Sequence, residues 1–140
     1  MRRFRVGYSI AMRPHGFPPA LRIRRKKEFD LVFREGARAG DGLLVVIARP
    51  NGGPHPRLGL AVGRGVGGAV VRNRVKRLLR ESFRLHRERL PEGHDLVVIA
   101  RDGTDPARWT LHAVEQSLET LAAKSAARHA KGGGRGKGGA

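Results

Sequence analysis

The chain has 140 residues, no cysteine, and 29 Lys+Arg against 12 Asp+Glu, a formal charge of +17. The missing cysteine excludes disulfides, thiolate metal sites and a cysteine nucleophile, and no apolar run approaches the roughly 20 residues of a membrane span. Together with VGYSIAM, too short and polar for a signal segment, these absences point to a cytoplasmic protein, and so large a cationic excess, which opposes compaction unless a polyanion neutralises it, points first to nucleic acid.

Residues 1–20 contain Pro14, Pro18 and Pro19 and no hydrophobic period, and read as a flexible basic extension. The segment KKEFDLVFREG predicts a short helix with Phe29, Val32 and Phe33 on one face and Gly36 as its stop. LLVVIA (43–48) predicts a buried strand, PNGGPHP a turn, and RLGLAV (57–62) a second strand lying antiparallel beside the first.

The pattern over 69–90 is helical, with Val71, Val75, Leu78, Leu79, Ser82 and His86 facing inward. DLVVIA (95–100) predicts a third strand, reached by a helical crossover and therefore parallel to the second. Asp105-Pro106 should cap and open a last helix with Leu111, Val114, Leu118 and Leu121 on one stripe. Glycine and cations dominate 124–140, which reads as a disordered tail. One domain is thus expected over 21–123: an α+β fold, a small mixed sheet packed with helices as a two-layer sandwich, in the order α-β-β-(β)-α-β-α.

GRGVGG (63–68) sits between a predicted strand and a predicted helix and fits G-x-G-x-x-G. A dinucleotide site would also need an acidic residue at the end of the next strand, about 20 residues on. Glu88 stands at that distance but in mid-helix, and Asp102 lies too far along. The stretch reads better as a strand-to-helix turn, or as a helix start that approaches an RNA phosphate. No small-molecule cofactor is expected.

The helix that follows carries Arg72, Arg74, Lys76, Arg77, Arg80, Arg84, Arg87 and Arg89 against Glu81 and Glu88. Asn73, Lys76, Arg77, Arg80, Arg84 and Arg87 fall opposite Val75 and Ser82, giving one apolar and one cationic face. Like charges at i,i+4, such as Lys76 with Arg80, cost stability on a bare helix. A phosphate backbone relieves that repulsion.

The string AVVRNRVKRLLRESF resembles the signature helix of the bacterial ribonuclease P protein family. Its surroundings agree: the run LRIRRKKEFDLVFREG near the start, LGLAV before the helix and DLVVIAR after it. The resemblance spans roughly 21–123.

It implies a protein subunit that binds a catalytic RNA and the 5′ leader of precursor tRNA, within an endoribonuclease whose hydrolysis is performed by RNA-held metal ions, Mg2+ being the expected cofactor. A monomer in a 1:1 ribonucleoprotein is implied, as is a left-handed crossover around the signature helix. RNA contact falls by resemblance to Arg64, Arg72, Asn73, Arg74, Lys76, Arg77, Arg80 and Arg84, and the leader groove to Lys26, Phe29 and Phe33. Aromatic rings there could stack bases for about 1–3 kcal/mol each, although an i,i+4 pair of Phe on a short helix is equally at home in a core.

The chain departs from the family pattern at Gly63-Arg64-Gly65, where Ser-Lys-Lys is usual, and at Ile47, where a groove aromatic is common. His15, His55, His86, His94, His112 and His129 show no metal-ligand spacing, and His86 is expected to be packed in the core. No Ser/His/Asp arrangement has a nucleophile-elbow context, so no catalytic or metal-binding residue is assigned. The alternative to the ribonuclease P reading is a ribosomal RNA-binding or assembly protein, which charge and size fit equally.

Overall fold

The structure, a computed structural model, describes residues 19–132. Seven elements follow in chain order: α1 (Lys26–Glu35), β1 (Ala37–Gly40), β2 (Leu44–Pro50), β3 (Arg57–Ala61), α2 (Ala69–His86), β4 (His94–Ala100) and α3 (Leu111–Gly132). The extension expected at the N-terminus falls almost wholly outside the described residues, as does the chain beyond 132.

The strands form one sheet in the order β1-β2-β4-β3. β4 pairs antiparallel with β2 and parallel with β3. The crossover therefore makes β3 and β4 parallel neighbours, as expected. The expected pairing of β2 with β3 is corrected: β4 stands between them. Both candidate partners are apolar runs, and proximity in sequence misled because β4 offers β2 a longer ladder, Leu44 to Pro50 against His94 to Ala100, apolar from Leu44–Ala100 to Ala48–Leu96.

β1 (ARAG) has no apolar run to announce it, yet Ala37 and Ala39 are buried while Arg38 and Gly40 are exposed. It pairs antiparallel with β2 and forms one edge of the sheet.

Side chains alternate across a sheet, and each face has its own core. On one face Leu44, Val46, Leu58, Leu96 and Val98 pack with Val75, Leu79 and Phe83 of α2 and Val114, Leu118 and Leu121 of α3. This is the main layer pair. Phe83, fully buried, joins the inward face of α2 alongside the expected Val75, Leu79 and Ser82, whereas Val71, Leu78 and His86 are half-buried.

On the opposite face α1 lies over Ile47 and Val97, with Val32 and Ile23 completing a small second core. Arg57 ties this layer together. Its Nε and Nη2 donate to the two oxygens of buried Asp95 at 2.8 and 2.8 Å, and its Nη1 to Glu28 of α1 at 3.3 Å. Burial opposes the charge, but Asp95 and Glu28 hold the Arg57 guanidinium firmly protonated, first of all through the Asp95 hydrogen bonds.

The two ends of the last helix differ from expectation. Asp105 accepts the N–H of Ala107 at 3.0 Å but caps a short 3-10 turn, Pro106–Arg108. α3 begins later, where Thr110 Oγ1 accepts the N–H of Ala113 at 3.2 Å. Nor does a tail begin at 124: α3 continues to Gly132, and Ser125 is fully buried. The run AAKSAARHA owes its helicity to alanine, which gives no apolar stripe to read.

His86 does not sit in an apolar core. Its Nε2 lies 2.9 Å from Glu115 and its Nδ1 2.9 Å from Glu119, both on α3, so it bridges the two helices.

Candidate nucleic-acid interface

Two features lie side by side: the outer face of α2, and the sheet face that α1 leaves partly open. On that face two ladders run across all four strands. The first is Arg38, Ile47, Val97 and Gly59; the second is Gly40, Val45, Ile99 and Ala61. α1 covers the first, and Ile47 and Val97 are fully buried. The second is uncovered, with Val45, Ile99 and Ala61 half-buried. Ile47 is therefore a core residue under α1. The open trough floor is the neighbouring ladder.

Gly59 makes α1's position possible: a β-carbon there would fall 2.8 Å from Phe29 Cζ and 3.1 Å from Ile23 Cβ. Phe29 reaches the β3 edge, where it lines a cavity of about 280 Å³ with Arg22, Ile23, Arg24, Leu58, Leu60, Lys76 and Arg80. The cavity joins an aromatic wall and an aliphatic floor to four cations. Partial burial at this wall, and then the charge of Arg22, push the Arg80 guanidinium below its ordinary value. An anion placed there would be favoured by both cations. Phe33 packs half-buried against the small core, and Lys26 is paired on the surface with Asp30 at 2.9 Å.

Along α2, Asn73, Arg77, Arg80 and Arg84 are exposed on one face, and Lys76 is half-buried beside Arg80 at the cavity. The first turn holds no acidic residue, and Gly68 provides no side-chain cap. Arg84 is paired with Glu81 one turn back. Two predicted RNA-binding arginines also spend a guanidinium N–H on a backbone carbonyl. Arg72 donates to the carbonyl of Gly67 at 3.1 Å, and Arg74 to the carbonyl of Trp109 at 2.6 Å. Sequence periodicity places all these cations on a helix but does not reveal which backbone acceptors lie nearby.

The glycine turn serves the fold. Val66 is buried, and Gly67 has φ +156°, which favours glycine. A β-carbon on Gly65 would fall 2.6 Å from Asp102 Oδ2, and Gly65 accepts the N–H of Gly103 at 3.0 Å. Asp102 thus occupies the room that a side chain at 65 would need. Arg64 alone projects as an exposed cation from this turn.

This is a small α+β module with a cationic helix face beside a partly open sheet face. The family model for Ribonuclease P matches residues 17–126. The ribonuclease P protein component of Desulfovibrio desulfuricans is 44% identical over 123 residues, covering 86% of this chain and 94% of that protein. The component of Methylococcus capsulatus is 50% identical over 88 residues, 62% of this chain and 68% of that protein.

Among solved structures, the Thermotoga maritima protein superposes with a TM-score of 0.67 at 35% identity, covering 74% of this chain and 96% of that one. The Staphylococcus aureus protein does so with a TM-score of 0.64 at 30% identity, over 79% and 95%.

The chain belongs to the ribonuclease P protein family. It is the protein component of an endoribonuclease and a partner of that enzyme's RNA, which sets the ribosomal alternative aside. Among the described residues no helix is long and apolar enough to cross a membrane.

Proposed function

We propose that this subunit holds the catalytic RNA on the outer face of α2 and the 5′ leader of precursor tRNA on the sheet face beside α1, in a 1:1 ribonucleoprotein. The observation that carries this reading is the junction of the two surfaces. Lys76 and Arg80 of α2 line the same cavity as Phe29 of α1. Phosphates meet cations there while an unstacked base meets an aromatic ring.

On this reading Asn73, Arg77, Arg80 and Arg84, with Arg64, supply the exposed RNA contacts, and Arg72 and Arg74 set the helix in place. Phe29 is the stacking wall, and Phe33 supports it from the small core. The Mg2+ that the hydrolysis needs belongs to the RNA and the substrate. Among the described residues no group of three or more His, Asp or Glu side chains is placed to hold a metal.

The test is cleavage of precursor tRNA by the cognate RNA at low Mg2+, with and without this protein. Strong stimulation that weakens when the leader is shortened supports both surfaces. Stimulation indifferent to leader length removes the groove assignment.

A further inference from the structure

The β1–β2 hairpin end, ARAGDGLL, is met by two arginines of the β4–α3 connection and one of α3. Arg101, just past β4, donates to the carbonyl of Asp41, and its Nη2 lies 3.0 Å from where a β-carbon on Gly40 would stand. Arg108, in the turn before α3, lies 3.5 Å from the β-carbon position of Gly42. Arg128, in the stretch of α3 beyond the family match, donates to the carbonyl of Arg38 at the sheet edge.

The two glycines leave the room these guanidiniums use. The turn's own acid, Asp41, is committed elsewhere. Its Oδ1 accepts the N–H groups of Leu43 and Leu44 at 2.8 and 2.9 Å, and its Oδ2 the hydroxyl of Ser117 at 2.6 Å. Arg101, Arg108 and Arg128 against Asp41 leave a local formal charge of +2.

This collar stands where the open ladder ends. Gly40, under Arg101, is the β1 member of the row Gly40, Val45, Ile99 and Ala61. The cavity lined by Lys76 and Arg80 is at the opposite, β3, edge, three strand spacings or roughly 14 Å away. A strand of RNA crossing the sheet along the half-buried row meets cations at both ends and apolar surface between them.

We infer that Arg101, Arg108 and Arg128 form a second phosphate-binding wall, which grips the leader of precursor tRNA as it leaves the groove on the β1 side. This rests on the groove reading above and adds residues that neither the signature helix nor α1 contains.

The test compares reconstituted holoenzyme carrying Arg101→Gln, Arg108→Gln or Arg128→Gln with the wild type, on precursors with a full-length and a truncated leader. Arg108 is exposed and keeps the test independent of the bond that Arg101 makes to Asp41. Loss of a charged contact weakens full-length-leader binding roughly tenfold and lowers the log–log salt slope by about 0.7 per arginine. Binding of the truncated substrate and of the catalytic RNA stays unchanged.

Equal losses on both substrates, or weaker binding of the catalytic RNA alone, would mean that the collar holds another part of the RNA, and overturn the assignment. Unchanged binding by all three variants, with a leader-dependent wild type, overturns the collar and spares the groove. A wild type without leader dependence removes the groove reading and the collar with it.

Discussion

The ring of Phe29 fills the space that a side chain on Gly59 would take, with Cζ 2.8 Å from the missing β-carbon. One glycine on an edge strand thus sets how closely α1 approaches the sheet and where its aromatic wall stands. Gly59→Ala forces α1 or the ring outward. Overpacking of this kind costs about 1–3 kcal/mol, and thermal unfolding should show a Tm lowered by several degrees. The leader-dependent part of substrate affinity should fall with it. An unchanged Tm would mean that the ring has room to spare.

Arg74 and Arg77 share the signature motif but should respond differently to alanine. Arg77 is exposed on the outer face of α2, so Arg77→Ala should leave stability within about 0.5 kcal/mol. RNA affinity should drop evenly across sequences, with a salt slope smaller by about 0.7–0.9. Arg74→Ala deletes the bond to the carbonyl of Trp109, and should cost about 1–2 kcal/mol of folding stability. Chemical denaturation beside RNA titration separates the two, and equal stability of both variants would contradict the structure.

Asp41 makes stability acid-sensitive. Burial raises its pKa, but the Leu44 N–H, the Ser117 hydroxyl, the Leu43 N–H and the Arg101 charge together outweigh burial and hold it below the usual aspartate value. A carboxyl depressed in the folded state stabilises the fold above the unfolded pKa. That contribution disappears as pH falls through the lower, folded value. Denaturation midpoints measured from pH 6 down to pH 2 should decline more steeply for the wild type than for Asp41→Asn. Parallel curves would show that the carboxylate is not held as described.

The Arg57–Asp95 pair should be costly to break from one side. Asp95→Ala leaves a guanidinium near the interior with only Glu28 at 3.3 Å. The expected loss is about 2–4 kcal/mol, below that of a fully enclosed pair because Arg57 keeps some solvent contact. A double-mutant cycle with Arg57→Ala should show coupling above about 1 kcal/mol. Additive losses would place the stabilisation elsewhere.

Much of this architecture is legible in the residues. The stripes of α2 and α3 announce themselves by period, and the parallel pairing of β3 with β4 follows from the length of the crossover between them. β1 is not legible, because two alanines and a glycine give a strand no hydrophobic signature, and its burial comes from the neighbours that cover it. The end of α3 is hidden for a related reason: alanine favours helix without marking a face. The cationic face of α2 can be read as a set, but the diversion of Arg74 to a carbonyl 35 residues away in sequence cannot. Arg101 and Arg108 look like unremarkable loop cations until the turn they surround is in place.

Among the described residues β4 is the last strand and the only one bonded to both β2 and β3. While the protein is being synthesised, the β1–β2 hairpin and β3 share no ladder until residues 94–100 leave the ribosome. The arginine-rich helix emerges first, as the connection that this closing strand must draw shut. Its apolar face then has no sheet to rest on, while its cations already repel one another. Pairing distant strands is slow because loop closure must come before any contact rewards it. The nascent chain therefore passes through an interval in which an arginine-rich segment is exposed before the closing strand that completes the sheet beneath its apolar face.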